Sequence, residues 1–263
     1  MNLQKPIRWK RKINSLLWRI INWLENNNNT NFETNGEKYF LEQLFPAFSK
    51  QENNCLLDVG AHEGAWAITA EKILQKQNIP HTIHLFEPMR QTFEKLKQTI
   101  PQNNSHFILN NLGASDHTQE QEIFYDRQGS TLASLHPRNL AQNTVLQTDN
   151  IQLIRLDEYI ENQKINHIQL LKIDVEGHEK AVLEGLGQYL NPTFIDAIQF
   201  EYGATTRDAN YSLLQLYQLL EKKQFILAKL MPQRIEKRPY ELRLEHFNYA
   251  NYVALSPKMI LKP

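Results

Sequence analysis

Short apolar runs alternate along this chain with longer segments whose apolar residues recur at helical spacing. The runs fall at residues 55–59, 82–86, 107–110, 168–173 and 196–200. Runs this short and this apolar predict strands buried on both faces, as in a parallel sheet. Residues 65–77, 90–99 and 179–186 carry the helical pattern between them. Such alternation predicts βαβ units of an α/β fold, with right-handed crossovers placing helices on both sides of a mainly parallel sheet. Beyond residue 200 the pattern predicts a helix at 211–222 and two more strands, 225–230 and 251–255, able to close the sheet as an antiparallel pair. The charged span 231–247 between them reads as a surface excursion. Residues 114–148 break the rhythm. They are polar, hold one candidate strand at 121–125, and continue into a loop with Gly129, Ser130, Thr131, Ser134 and Pro137. Long loops in compact domains are commonly functional.

The first 50 residues follow another rule and read as a helical extension before a main domain at 51–263. Lys5, Arg8, Lys10, Arg11, Lys12 and Arg19 interleave with Trp9, Ile13, Leu16, Leu17, Trp18 and Trp23. Charges interrupt every apolar stretch, so the segment does not read as a signal peptide, and no stretch is long and apolar enough to span a bilayer. Two readings stand. The helix packs on the main domain, the commoner outcome for an amphipathic helix, or it lies on a membrane surface. Asn26 to Asn29 read as a linker, and residues 36–48 as a second short helix.

Composition narrows the setting. The 263 residues suit one large α/β domain, and 41% hydrophobic content suffices for a sizeable core. Basic and acidic residues balance at 29 each, so no global charge favours a nucleic-acid partner. The single cysteine, Cys55, excludes an internal disulfide and points to a reducing, cytoplasmic setting. It lies in an apolar run and reads as core filling.

The candidate chemistry sits where strands end. Residues 58–64 read Asp58-Val59-Gly60-Ala61-His62-Glu63-Gly64. The glycines allow a tight turn and a close approach of backbone to ligand, at the sheet edge where open α/β folds bind ligands. Asp58 would repel a pyrophosphate and suits an ammonium group or sugar hydroxyls instead. No phosphate-loop lysine follows. The second strand ends in Phe86-Glu87-Pro88, where a carboxylate can accept from both hydroxyls of a ribose. A helix-start glutamate is the plainer alternative. The third run leads into Asn110-Asn111-Leu112-Gly113-Ala114-Ser115-Asp116, whose small and polar residues can flank a flat base. The fourth, Lys172-Ile173-Asp174-Val175-Glu176-Gly177-His178-Glu179, places acids and a histidine just past a buried strand. Lys172 needs a carboxylate partner there, with Glu201 on the neighbouring strand as the candidate. Asp174 and Glu176 have the chemistry of a general base or of ligands to a divalent metal, and the sequence leaves that choice open. His178 is a weaker base candidate, with an exposed helix residue as its plainer reading.

Together these motifs resemble the FkbM-type methyltransferases, from Leu56 to Glu201. The resemblance rests on Asp58 to Gly64, Phe86-Glu87-Pro88, Asn111 to Asp116, Leu156-Asp157-Glu158-Tyr159, Lys172 to Glu179 and Phe200-Glu201. It implies a Rossmann-like methyltransferase fold, S-adenosylmethionine as donor, and methylation of a hydroxyl on a glycan or other small-molecule acceptor. Carried over by position, Asp58, Gly60, Ala61 and Gly64 would face the donor's methionine part. Glu87 and Pro88 would face its ribose, and Asn111 its base. Asp174, Glu176 and His178 would line the transfer centre. His62 and Glu63 stand where the family commonly has a neutral residue, and Gly113 where a larger one is common. Substrate choice is expected in the N-terminal helix, the tail after Gly203 and the loop 129–138. A nicotinamide-dependent oxidoreductase on the same sheet is the rival enzyme class, although Gly60 and Gly64 make a poor pyrophosphate turn. A binding protein that kept the fold without catalysis is the other rival. Oligomeric state is not legible.

Overall fold

The computed structural model describes residues 8–101, 104–126, 133–136 and 146–260. Its centre is an eight-stranded sheet. Strands β1 (Asn54–Val59), β2 (His81–Phe86) and β3 (Phe107–Asn110) run parallel, joined by helices α3 (Ala65–Lys76) and α4 (Arg90–Thr99). Ahead of them come α1 (Arg8–Leu24) and α2 (Glu37–Leu44). After β3 the chain builds a second, three-stranded sheet from β4 (Gly113–Ser115), β5 (Gln119–Tyr125) and β6 (Gln147–Arg155). It then crosses through α5 (Leu156–Gln163) to β7 (Leu170–Ile173), which pairs parallel to β1 on the side away from β2. Helix α6 (Glu179–Glu184) leads to β8 (Ala197–Tyr202), again parallel. Helices α7 (Ala204–Asp208) and α8 (Leu213–Lys222) precede β9 (Ile226–Met231), β10 (Arg234–Lys237) and β11 (Ala250–Leu255), and α9 (Pro257–Ile260) follows. The order is β10-β9-β11-β8-β7-β1-β2-β3, with β11 antiparallel to both β8 and β9. Strand order therefore reverses between β1 and β7, which opens a crevice at their carboxyl ends.

Period-two alternation sorts the strand residues onto two faces. Leu56, Ile83, Leu85 and Leu170 pack with Phe40 and Leu41 of α2, Trp66, Ala70 and Leu74 of α3, and Leu96 of α4. Leu57, Val59, Leu171 and Ile173 pack with Tyr159 and Ile160 of α5, Val182 and Leu183 of α6, and Leu216 and Leu220 of α8. This is the expected α/β architecture, with β9 and β11 closing the sheet as an antiparallel pair. Cys55 packs against the second cluster, and burial pushes its thiol up to about 12.

Several regions differ from expectation. The break after β3 is not one strand and a loop but the separate β4-β6-β5 sheet, with its own apolar cluster of Met89, Ile123, Tyr125, Ile151 and Leu153. Most of the expected substrate loop, 129–138, lies outside the described residues. The charged span after β9 is partly an edge strand, β10, whose residues all face Met231 to Ala228 of β9. Asn26 to Asn29 do not act as a linker. Asn26 and Asn27 are buried, Asn26 donates to the Leu230 carbonyl at 3.0 Å, and Asn27 accepts from the buried Lys229 at 2.8 Å. Asn26 and Asn28 take positive φ, which asparagine tolerates well. Residues 37–48 supply Phe40, Leu41, Leu44 and Phe45 to the main core, so only α1 stands apart. None of the residues of α1 is buried, against the expectation that it packs. Among the described residues no helix is long and apolar enough to cross a membrane.

Candidate functional site

Register builds the centre of the site. Asp58 of β1 lies directly opposite Lys172 of β7, and Lys172 opposite Gln199 of β8. Asp174 and Glu201 lie two residues further along, so alternation puts all five on one face of the sheet. The Lys172 ammonium bonds Asp58 and Asp174 at 3.1 Å each, and it sits 5.6 Å from the centre of the Trp66 ring. The expected carboxylate partner of Lys172 is thus real, but it is not Glu201. Glu201 accepts instead from the Tyr249 hydroxyl at 2.7 Å. Burial alone would depress Lys172; Asp174, Asp58 and Glu37 overcome it and hold the ammonium above its ordinary value.

A cavity of about 520 Å³ opens over this row at the carboxyl ends of β1, β2 and β7. Its lining includes the carboxylates Glu37, Glu63, Glu87, Asp174, Glu176 and Glu201, against Lys172 as its lysine. Burial raises Glu37, Glu87 and Glu201 above the ordinary carboxylate range. The charge of Asp174 pushes Glu201 further, and Glu87 reaches about 7. Asp58, wholly buried beneath, is raised for the same reason. Among the described residues the lining thus holds more acidic groups than cations, and burial makes their ionisation costly, which favours a cationic ligand.

Of the residues expected to hold a donor, Gly60, Ala61, Glu87 and Pro88 line this cavity. Gly60 has φ +87°, and a Cβ there would lie 1.8 Å from the Asp174 carbonyl oxygen, so only glycine brings the two loops so close. The amides of Gly60 and Ala61 donate to the Phe86 carbonyl, at 3.0 and 2.9 Å. Glu87 accepts from the backbone amides of His62 at 3.1 Å and Met89 at 2.9 Å, which aims its carboxylate across the β1 and β2 turns. Three residues do not reach the lining. Asp58 lies beneath it and acts by fixing Lys172. A Cβ on Gly64, the residue capping α3, would meet the Leu96 side chain, and its φ of +87° itself favours glycine. Asn111 donates to the carbonyls of Glu87 and Pro88, at 2.9 and 3.0 Å, and braces the turn after β2.

Asp174, Glu176 and His178 all line the cavity. Glu176 carries a positive φ of 52°, a strained setting for a non-glycine residue, and its carbonyl accepts from Ser134 at 2.7 Å. His178 is not an exposed helix residue. Its Nε2 lies 2.9 Å from the Ser115 hydroxyl, and burial lowers it to about 4, so it is neutral at pH 7 and a weak base. Glu179 opens α6, and it is buried and accepts from the Gly177 amide at 3.1 Å. His62 and Glu63 do add polar groups to the cavity, with Glu63 paired to Lys95 at 2.8 Å. The motif reading assigned no role to Glu37, whose carboxylate enters from α2 and accepts from Gln199 at 2.6 Å. Met89, Ile123, Ile151 and Leu153 form an apolar wall supplied largely by the small sheet.

For a metal, Asp174 already shares the Lys172 ammonium. Among the described residues the cluster with three ligand atoms in mutual reach is Glu71, His81 and His106. His81 opens β2, so this cluster sits at the amino end of the sheet, away from the cavity. The Glu71 carboxylate there is already held by Gln75, Asn104 and His106.

Among solved structures, the plantazolicin methyltransferase BpumL in complex with SAH shares 10% identity, 95% of this chain, 91% of that one and a TM-score of 0.42. M. capricolum TrmK in complex with S-adenosyl-homocysteine shares 10% identity, 83% and 68% of the two chains, and a TM-score of 0.42. A putative RNA methyltransferase from Pyrococcus horikoshii gives 8%, 84%, 81% and 0.39 in the same order. No curated protein sequence matches the chain. The sequence profile described as Methyltransferase FkbM domain matches residues 58–227, which begins at Asp58 and runs through every motif of the site up to β9. The chain belongs to the FkbM methyltransferase family.

Proposed function

We propose that this methyltransferase moves a methyl group from S-adenosylmethionine to a hydroxyl oxygen of a glycan or other small-molecule acceptor. The observation that carries the reading is the excess of buried carboxylate over lysine in a cavity at the strand-order reversal. A donor bearing an ammonium and a sulfonium supplies the missing positive charge. His62 Nε2 and Trp66 Nε1, buried in the lining without a hydrogen-bond partner, fit a ligand that also offers acceptors, as the donor's carboxylate and hydroxyls do.

S-adenosylmethionine supplies, when bound, a methyl group activated on a positively charged sulfur. The chain's residues do the rest. Glu87 accepts from the ribose hydroxyls, with Pro88 and Met89 flanking the base. The backbone of Gly60 and Ala61 lets the amino-acid part approach the sheet, and Asp174 faces its ammonium. Transfer to an alcohol also needs a proton removed, and Asp174 or Glu176 accepts it. Holding donor and acceptor in line contributes most of the acceleration, a contribution that reaches about 7–11 kcal/mol in well-oriented systems. The apolar wall of Met89, Ile123, Ile151 and Leu153 keeps water from the reacting centre.

The test is mass spectrometry of glycan, metabolite and RNA extracts incubated with the protein and isotope-labelled donor. Label on a hydroxyl of a small molecule or glycan is the expected result; label confined to RNA or to nitrogen overturns the acceptor. Calorimetry with S-adenosylhomocysteine and with NAD separates the rival enzyme class. Donor binding without label in any extract favours a non-catalytic protein. Asp174→Asn and Glu176→Gln, made separately, should each reduce turnover. Normal turnover in both removes the proposed bases.

A further inference from the structure

Helix α1 is unlike every other long helix of the fold, because it buries no residue. Trp9, Ile13, Leu16, Leu17, Ile20 and Trp23 are between 45% and 79% exposed. At 100° per residue these positions fall on one side of the helix, spanning about 120°. Arg8, Arg11, Lys12 and Arg19 lie along one flank of this stripe, where with Ser15 and Leu16 they line a shallow concavity; Lys10 borders the other flank, and Trp18 and Ile21 are exposed outside the stripe. Residues 8–24 hold five basic residues and no acid. In a chain whose charges sum to zero, that is a local concentration.

The end of α1 is fixed to the rest of the fold. Asn22 accepts from Asn248 at 3.1 Å, Glu25 pairs with Arg238 at 2.7 Å, and the Asn28 amide donates to the Tyr249 carbonyl at 2.8 Å. Tyr249 lines the cavity, as do Thr30 and Phe32 a few residues further on. The exposed helix is therefore held beside the mouth of the site.

We propose that α1 docks this protein on an anionic lipid bilayer, lying in the interface with Trp9, Leu16, Ile20 and Trp23 inserted and its arginines and lysines on the headgroups. The charge pattern selects this occupant. An apolar stripe bordered by cations and free of acids complements an anionic headgroup layer over hydrocarbon. A second copy of the helix would bring cations against cations. The helix lies on the bilayer and does not cross it, since 17 residues with five charges are too short and too polar to span. The proposal does not depend on the acceptor, and it places the cavity at the membrane surface.

The test is sedimentation of the full chain with vesicles of phosphatidylcholine alone and with 30% phosphatidylglycerol, together with tryptophan emission. Three of the four tryptophans lie in α1, so insertion shifts the emission to the blue. Expected is binding to the anionic vesicles at least tenfold tighter than to the neutral ones, weakened several-fold between about 0.1 and 0.5 M salt. A Trp9→Ser, Leu16→Ser, Ile20→Ser variant and an Arg8→Glu, Lys12→Glu, Arg19→Glu variant should each lose at least tenfold. S-adenosylhomocysteine binding should persist in both, showing that they fold. Three results overturn the proposal: no sedimentation with either vesicle, equal binding to both, or self-association or RNA binding through this helix without vesicle binding.

Discussion

Burial holds Glu87 at about 7, so its ionisation lies within the range where the protein can be handled. If its carboxylate accepts from the ribose hydroxyls, only the ionised form binds the donor well. About nine-tenths of Glu87 is ionised at pH 8 and about one-tenth at pH 6. Affinity for S-adenosylhomocysteine should therefore fall about tenfold over that interval, or about 1.4 kcal/mol. The same shift bears on stability. Between its unfolded value near 4.5 and its folded value near 7, the folded chain keeps a proton that the unfolded chain has released. The stabilisation is complete below about pH 4.5 and is lost as pH rises through 7, an amount on the order of 3 kcal/mol. Glu87→Gln removes both effects. Its single carbonyl oxygen can serve the amide of His62 or of Met89 but not both, at a cost of about 1–2 kcal/mol that does not vary with pH. Calorimetry from pH 6 to 8 on both proteins measures the first quantity, and urea unfolding from pH 4 to 8 measures the second. A wild-type affinity flat across this range refutes the reasoning. So does a tenfold decline that survives unchanged in Glu87→Gln, which would assign the titration to another group.

Three further outcomes follow from the same geometry. Lys172→Met leaves Asp58 buried with no counter-charge and should cost about 3–5 kcal/mol in urea unfolding; a loss below about 1 kcal/mol would mean that Asp58 is already protonated in the wild type. Gly60→Ala forces a Cβ against the Asp174 carbonyl and should weaken S-adenosylhomocysteine binding at least tenfold by calorimetry, whereas Gly113→Ala presses on the movable Leu153 side chain and makes ordinary contact with Pro88. Equal effects of the two would disprove the cradle. With its thiol near 12, Cys55 should react with Ellman's reagent at pH 8 about a thousandfold more slowly in the native chain than in urea, and prompt reaction of the native chain would contradict the burial.

What the sequence revealed, and what it hid, follows from how each element is solvated. Strands β1, β2 and β7 are covered on both faces, so their apolar runs are nearly continuous and legible, and the acids that end them mark the sheet edge. Strand β6 exposes one face. Only Ile151 and Leu153 of its nine residues are buried, so it carries little apolar signal, and of the small sheet only β5 is legible in the sequence. Strand β10 is a charged edge, Arg234-Ile235-Glu236-Lys237, in which charge guards against further pairing but masks the strand. Glu37 has no local mark at all. It reaches the cavity because α2 packs over the same sheet face as Asp174, a contact between residues far apart in the chain. His178 was misread for a related reason: its burial depends on Ser115 and His136, which other segments bring to it.

The partner of Lys172 shows how far register alone carries function. Two acids flank it in space, Asp58 from the next strand and Asp174 from two residues along its own, and both positions follow from parallel pairing and period two. The lysine is thereby consumed by structure. What remains around it, Glu37, Glu87 and Glu201, is pressed by burial and by the negative charge of Asp174, which raise all three above the ordinary carboxylate range. The empty site is destabilised thereby, since burial and like charge both oppose ionisation there. A cationic ligand relieves it, so part of the binding energy comes from removing a penalty that folding imposed. A site held together by its own salt bridges would have no such reserve. The arrangement therefore couples the chain's stability to occupancy of the cavity, as linkage requires of any ligand that binds only the folded state.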